Sequence, residues 1–399
     1  MHTSFNSLSC ARGAKVLAAA LVLTLGPLQA WARSPQPLRP VVAYVDTTAQ
    51  DLNLDTLPWG SITHINIAFA GIDARGNCAF MDPSGKDVAD NSGHVPKVIQ
   101  KLVAERNAHN PKAKLILSVG GWTMSYRFSE ATQTPEGTER LAQSCVAMME
   151  DFGLDGLDYD WEYPTKLGKK NCPQGLNCAT QNDPQQFTAL LKASRAAMGD
   201  DTVNKPLTVA VYMTPGNRGI PYDVVGMDPY LSFWNIMAYD AAAPNWSAGA
   251  DFHAPVLASQ NSLWDYAKAG ATPSKLNLGV PYYGYIWWNV PMPVIGTPGR
   301  GNEQNWSQYS TMAIKKRYGS DKGCKLYIDR NGDFYYCDSG EHVGEWAAVE
   351  SERALFVKSL FVRDNNFGGI MMWAVQTDSA KGELTQLIYY ILNGSSNGK

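Results

Sequence analysis

The chain is short of charge. Only 18% of its 399 residues are Asp, Glu, Lys or Arg, and 34 basic residues against 37 acidic ones leave a formal charge of −3. No run of Lys or Arg supplies the electrostatic footprint of a nucleic-acid binder, so no nucleic acid is expected as a partner and an uncharged substrate is favoured. Long apolar stretches are lacking too. The run Val16 to Leu25 is shorter than the ~20 residues a spanning helix needs, and none of that length follows, so no membrane span is expected. The seven cysteines include no paired CxxC spacing, which argues against a zinc site. No Gly-rich phosphate turn follows the first apolar run, which disfavours a doubly wound nucleotide-binding sheet. What is present is 45% hydrophobic and 11% aromatic, a balance that excludes a disordered chain, a collagen and a coiled coil. The length suits two or three small domains, or one α/β barrel of ~250 residues with an insertion.

Residues 1–32 read as an export signal. Arg12 and Lys15 precede the short apolar core, and Ala30-Trp31-Ala32 offers a small-x-small cleavage site. Cleavage near Ala32 would deliver a secreted (extracellular or periplasmic) protein. It would also remove Cys10 and leave six cysteines, an even number that suggests disulfides in an exported chain. Six cysteines allow fifteen pairings. Ordered by loop length, Cys172–Cys178 closes a short loop, Cys324–Cys337 staples a hairpin around Asp329-Arg330-Asn331-Gly332, and Cys78–Cys145 follows by elimination.

Eight short apolar runs punctuate the rest: Val41 to Val45, His64 to Ala70, Lys114 to Gly120, Gly156 to Glu162, Leu207 to Met213, Phe233 to Tyr239, Leu276 to Tyr282 and Gly369 to Val375. Seven lack the alternation of a half-exposed strand and suit parallel strands covered on both faces. Amphipathic helices are predicted between several of them. Val95 to Asn107 carries Pro96 in its first turn, Thr138 to Phe152 follows a Pro135 start, and Asp183 to Met198 opens with an Asp cap and Pro184. A last helix is predicted over Glu383 to Leu392. Strand and helix alternating eight times is the pattern of a (β/α)8 TIM barrel, an α/β fold. The gap after the seventh strand is too long for a barrel loop, so residues 284–365 are expected to form a small α+β module walling the cleft. The catalytic barrel would then comprise 33–283 and 366–399. A monomer is expected.

The exception among the strands carries acids. In Asp155-Gly156-Leu157-Asp158-Tyr159-Asp160-Trp161-Glu162, an extended reading puts Asp158, Asp160 and Glu162 on one inward face, ~7 Å apart. Three carboxyls sharing one interior raise the cost of ionising each other, so at least one proton should be retained near neutrality, as a general acid requires. No histidine lies near, and hard-metal sites usually draw acids from several loops, so neither a metal nor any cofactor is expected.

The run 155–162 resembles the Asp-Gly-x-Asp-x-Asp-x-Glu signature of glycoside hydrolase family 18, the chitinases, at all five fixed positions. Ser118-Val119-Gly120-Gly121 resembles that family's Ser-x-Gly-Gly, Met237-Ala238-Tyr239-Asp240 its Met-x-Tyr-Asp, and Gly368 to Trp373 its closing Gly-Gly-x-x-x-Trp. The resemblance spans nearly the whole chain beyond the signal. It implies hydrolysis of the β-1,4 linkages of chitin or N-acetylglucosamine oligosaccharides with retention, the substrate's own acetamide acting as nucleophile. Glu162 would protonate the glycosidic oxygen and then serve as base. Asp160 would hold the acetamide N–H, Asp158 would share its proton, and Tyr239 would donate to the acetamide carbonyl. Trp373 would form the floor for the sugar, with Asp240, Met237, Trp122, Tyr44 and Phe69 also in the cleft and Trp287 and Trp288 opening the module. Two departures bear on subsite detail: Tyr285 follows Tyr283-Gly284 where the family often has Arg, and no Tyr-Asp-Asp stretch occurs around Trp346 to Ser351. The alternatives are an endo-β-N-acetylglucosaminidase, a peptidoglycan-directed hydrolase, and a chitin lectin without activity. The last is disfavoured by the presence of both Glu162 and Asp160.

Overall fold

Strands form where the apolar runs stand, because each is covered outside by helices and filled inside by its neighbours' side chains. In order they are Val41–Asp46, His64–Ile72, Lys114–Gly120, Gly156–Asp160, Leu207–Tyr212, Phe233–Met237, Leu276–Pro281 and Ile370–Trp373. The computed structural model describes residues 37–49, 52–81, 93–166, 172–173, 175–216, 219–299 and 309–394. The segment expected as an export signal, and Cys10, lie outside them.

All eight strands run parallel in chain order, and the ring closes because the first pairs with both the second and the eighth, Val42 opposite His64 and Val41 opposite Ile370. The fold is the expected barrel. Arg39 buckles the closure, donating to Phe367 O and, at 3.2 Å, to Asn366 Oδ1. Helices His94–His109, Pro135–Asp151, Asp183–Met198, Val256–Lys268, Glu352–Asp364 and Glu383–Asn393 pack outside. The second starts as the sequence suggests, with Pro135 in its first turn and Thr134 Oγ1 accepting Gly137 N at 3.1 Å. Asp183 is not the cap it resembled. Its buried carboxylate turns back to accept Thr180 Oγ1 (2.6 Å), Ser129 Oγ (3.0 Å) and Thr165 N (2.8 Å), fastening the loop that follows the fourth strand.

After the seventh strand comes the small module. Ile286–Trp287, Trp346–Val349, Gly332–Cys337 and Cys324–Asp329 form a four-stranded antiparallel sheet in that spatial order. Its core is aromatic: Phe334 stacks on Trp346 with centroids 4.4 Å apart, and Trp287 is fully buried beside them. Trp287 is therefore not a cleft residue, since the module needs its indole as filler. The helix Glu352–Asp364 leaves the sheet and joins the barrel's outer ring, where Phe361 meets Trp264 of Val256–Lys268 edge to face at 6.4 Å.

Two expected disulfides are present, Cys172–Cys178 and Cys324–Cys337. The third is not: Cys78 and Cys145 are free thiols, both buried. Their side chains share a hydrogen bond, which with burial pushes the Cys78 thiol up, and Cys78 Sγ lies 3.8 Å from Met148 Sδ. They pack as small apolar groups of the barrel's outer core. Pairing by elimination failed because an even count does not oblige every thiol to pair. Alkylation of the denatured, unreduced protein followed by peptide mapping should label Cys78 and Cys145 and leave the other two pairs as linked peptides. A linked 78–145 peptide would contradict the assignment.

Candidate functional site

The fourth strand carries the acids up the lumen. Register sets Asp158 beside Ser118 of the third strand and Thr208 of the fifth. Asp158 Oδ2 accepts the hydroxyls of Ser118 and Tyr44, both at 2.7 Å, and Oδ1 accepts Thr208 at 2.5 Å. Burial drives its proton affinity up, and these hydroxyls pull it back by favouring the charged form. Asp160, one layer higher and 3% exposed, has the opposite surroundings. Its Oδ1 is buried without a partner among the described residues. Burial first, then the charges of Glu162 and Asp158, hold its carboxyl well above the usual range.

Glu162 lies past the end of the strand, which stops at Asp160. The period-two reading extended the strand two residues too far: Trp161 still packs on Phe128 (5.0 Å), as Tyr159 does, and the chain bends at Glu162. Ser125 fixes the bend. Its hydroxyl accepts Glu162 N at 2.9 Å and lies 2.8 Å from Gly121 O and 3.0 Å from Asp160 O. Burial first, with the charge of Asp240 adding to it and the hydrogen bond of Tyr163 opposing it, raises the Glu162 carboxyl to about 7.

The adjoining glycines are required by close approach. Gly120 has φ +110°, and a Cβ there would sit 2.2 Å from Asp160 O; at Gly121, with φ +78°, it would meet the Phe69 ring at 2.6 Å. Without side chains the third strand can deliver Gly121 N to Asp160 O at 2.7 Å and Phe69 can lie flat.

These elements enclose a cavity of about 520 Å³ at the C-terminal mouth of the barrel. Glu162, Asp160, Tyr239, Trp373, Asp240, Met237, Trp122, Tyr44 and Phe69 all line it, and Asp158 lies beneath. Trp373 is stacked on Phe69 at 5.6 Å and tilted against Tyr44 at 5.7 Å. The Tyr239 hydroxyl meets Met371 Sδ at 3.9 Å, a weak acceptor that leaves the phenol disposed toward a better one. Asp240, at φ +58°, accepts Tyr283 (2.6 Å) and Tyr285 (2.9 Å) on a single oxygen. Trp122 and Trp246 stand half exposed in the cavity's lining. Among the described residues no cluster of His, Cys, Asp or Glu could hold a metal ion, and no helix is long and apolar enough to cross a membrane. A half-buried carboxyl raised to about 7, an unpartnered carboxyl oxygen and an aromatic floor share one cavity. The profile described as "Glycosyl hydrolases family 18" matches residues 40–378.

The chain belongs to this family. Among curated family 18 relatives, Putative chitinase 1 of Margaritifera margaritifera is 26% identical over 359 residues, covering 83% of this chain and 70% of the relative. Chitinase 63 of Streptomyces plicatus is 27% identical over 360 residues, covering 82% of this chain and 55% of the relative, so the match takes in just over half of that protein. Among solved structures, the class V chitinase from Nicotiana tobaccum in complex with NAG4 superposes with a TM-score of 0.74 at 22% identity, covering 91% of this chain and all of that one. Several residues of this family 18 site went unread in the sequence: Tyr163, Tyr212, Tyr283 and Trp246 in the cavity's lining, and Ser125 and Thr208 buried behind it. Tyr283 had a usable signal, since it follows a strand at the face where barrel sites are built. Thr208 and Ser125 had none, because their value comes from register and from a turn.

Proposed function

We propose that this family 18 protein is a chitinase that hydrolyses β-1,4-N-acetylglucosamine linkages with retention, and that it acts outside the cytoplasm after cleavage near Ala32. The observation that carries the reading is that Asp160, whose buried Oδ1 has no partner among the described residues, lines the cavity together with Glu162 and Tyr239. A 2-acetamido group offers an N–H donor and a carbonyl acceptor, and the Asp160 and Tyr239 side chains are complementary to it. With the sugar on Trp373, Glu162 delivers its proton to the glycosidic oxygen. The acetamide oxygen attacks the anomeric carbon, forming a C–O bond as the glycosidic bond breaks. Asp160 accepts the amide N–H and faces the positive charge of the oxazolinium ion. Asp158, whose proton affinity burial raises against the pull of three hydroxyls, receives the proton that Asp160 must shed. Water then opens the ring with Glu162 as base. An intramolecular nucleophile carries no translational cost, so a second nucleophilic carboxylate is unnecessary.

Product analysis tests this directly. Incubation with N-acetylglucosamine oligomers should give shorter oligomers whose new ends are initially β. Glycan release from a glycoprotein with the oligomers intact would favour an endo-β-N-acetylglucosaminidase, and binding without cleavage a lectin.

The pH dependence follows from Glu162. The step needs its protonated form, which persists below its value of about 7 and is lost as pH rises through it. The basic limb of kcat/KM should therefore fall near neutrality, more than two units above an ordinary glutamic acid. A basic limb near pH 5 would remove Glu162 from the role of acid.

A further inference from the structure

A strap of chain, residues 251–254, runs between the barrel and the inserted module and is tied to both by ring packing and by two of its carbonyls. Phe252 is buried in the module's aromatic core, with centroids 5.8 Å from Trp346 and 6.0 Å from Phe334. His253 packs its ring against Tyr283 (5.1 Å) and Tyr285 (5.3 Å), the two tyrosines whose hydroxyls hold Asp240. The His253 carbonyl accepts Ala241 N at 2.8 Å, pinning the peptide that follows Asp240. Asp240 sits at φ +58°, a conformation a non-glycine residue keeps only where its surroundings enforce it.

The strap's next carbonyl has an unusual partner. Lys358, fully buried on the helix Glu352–Asp364, donates to Ala254 O at 2.9 Å and to both oxygens of Glu350, at 2.9 and 2.7 Å. Glu350, just past the module's strand Trp346–Val349, is 2% exposed. A buried ion pair is poor value as a source of stability, because desolvating both charges offsets their attraction and an apolar pair could fill the same space. What an apolar pair could not do is hold a backbone carbonyl at a fixed point.

We propose that Lys358, neutralised by Glu350, is a positioning residue that fixes the 251–254 strap and through it the carboxylate of Asp240 in the cavity. The inserted module is then part of the machinery that sets the geometry beside Glu162 as well as a wall. This rests on the hydrolase reading above.

The test uses the full chain and a nitrophenyl glycoside of the N-acetylglucosamine dimer. The double variant Lys358→Met, Glu350→Gln removes both charges together, so no lone charge is left buried. It is expected to lower kcat about tenfold with KM within about twofold, the pattern of a lost transition-state contact. Made in an Asp240→Asn background, the same pair should cost less than about twofold more, because a residue acting through Asp240 has little left to act on. A lower melting temperature with kcat unchanged, or a penalty that multiplies undiminished with Asp240→Asn, overturns the inference while leaving the hydrolase reading intact. An inert wild type overturns the hydrolase reading itself. Should the double variant fail to fold, Phe252→Leu loosens the strap from the module's side with the ion pair in place. The same loss of kcat is then expected, and an unchanged kcat overturns the inference.

Discussion

Glu162→Gln is expected to lower kcat on N-acetylglucosamine oligomers by about 10³-fold or more while changing their dissociation constant less than about threefold. The amide keeps the size of the carboxyl and its place beside Tyr163 and Asp240, so the cavity that receives the sugar is preserved. What disappears is the dissociable proton. Burial keeps that proton on Glu162 up to about pH 7, and no other described carboxyl in the lining stands beyond the strand's end at the mouth on the same bend. Asp160 cannot substitute, because it lies one layer down with its backbone fixed by Gly121 N. Equilibrium binding by calorimetry alongside turnover separates the two effects. Binding lost in proportion to turnover would show that Glu162 holds the sugar and does not deliver a proton to it.

The second large effect concerns Asp160→Asn, which should slow hydrolysis by about 10²-fold or more. The reason is electrostatic. An aspartate can face the oxazolinium as an anion once its proton has passed to Asp158, whereas an asparagine remains neutral throughout. Stability should move the other way. The folded protein holds the Asp160 proton far more tightly than the unfolded chain does, so ionisation is penalised in the folded state alone. That penalty sets in as pH rises above the unfolded value near 4 and grows until the folded group ionises. Asn has no proton to lose, so the variant should melt at the same temperature as the wild type or higher at pH 8. Melting curves and progress curves on the same preparations check both halves. An unchanged rate would rule out acetamide assistance at this position.

Legibility in the sequence followed the range of the forces involved. The eight strands could be read because each is a local apolar run bounded by polar chain, and the barrel followed from their alternation with helices. The ladder Asp158, Asp160, Glu162 was visible because three acids in an apolar strand are costly without a purpose. The bend at Glu162 was not, since it depends on Ser125, 37 residues earlier, whose hydroxyl accepts Glu162 N. Cys78 and Cys145 were paired on parity, yet whether two thiols bond is a question of their setting in three dimensions. Trp287 could be read only as an aromatic opening the module, and the packing of the module shows that its indole serves as filler against Trp346. Asp183 has the sequence of a helix cap, but the loop around Thr165 and Thr180 competes for its oxygens and wins.

The joining of the first strand to the last has a bearing on how the chain is made. Val41 finds its partner only when Ile370 has been synthesised, so a growing polypeptide carries an unfinished sheet with two bare edges for nearly its whole length. Such edges recruit strands from other molecules. A nascent chain arrested before Gly369 should therefore be a far stronger client for chaperones than one that has extended past Trp373 and closed the ring.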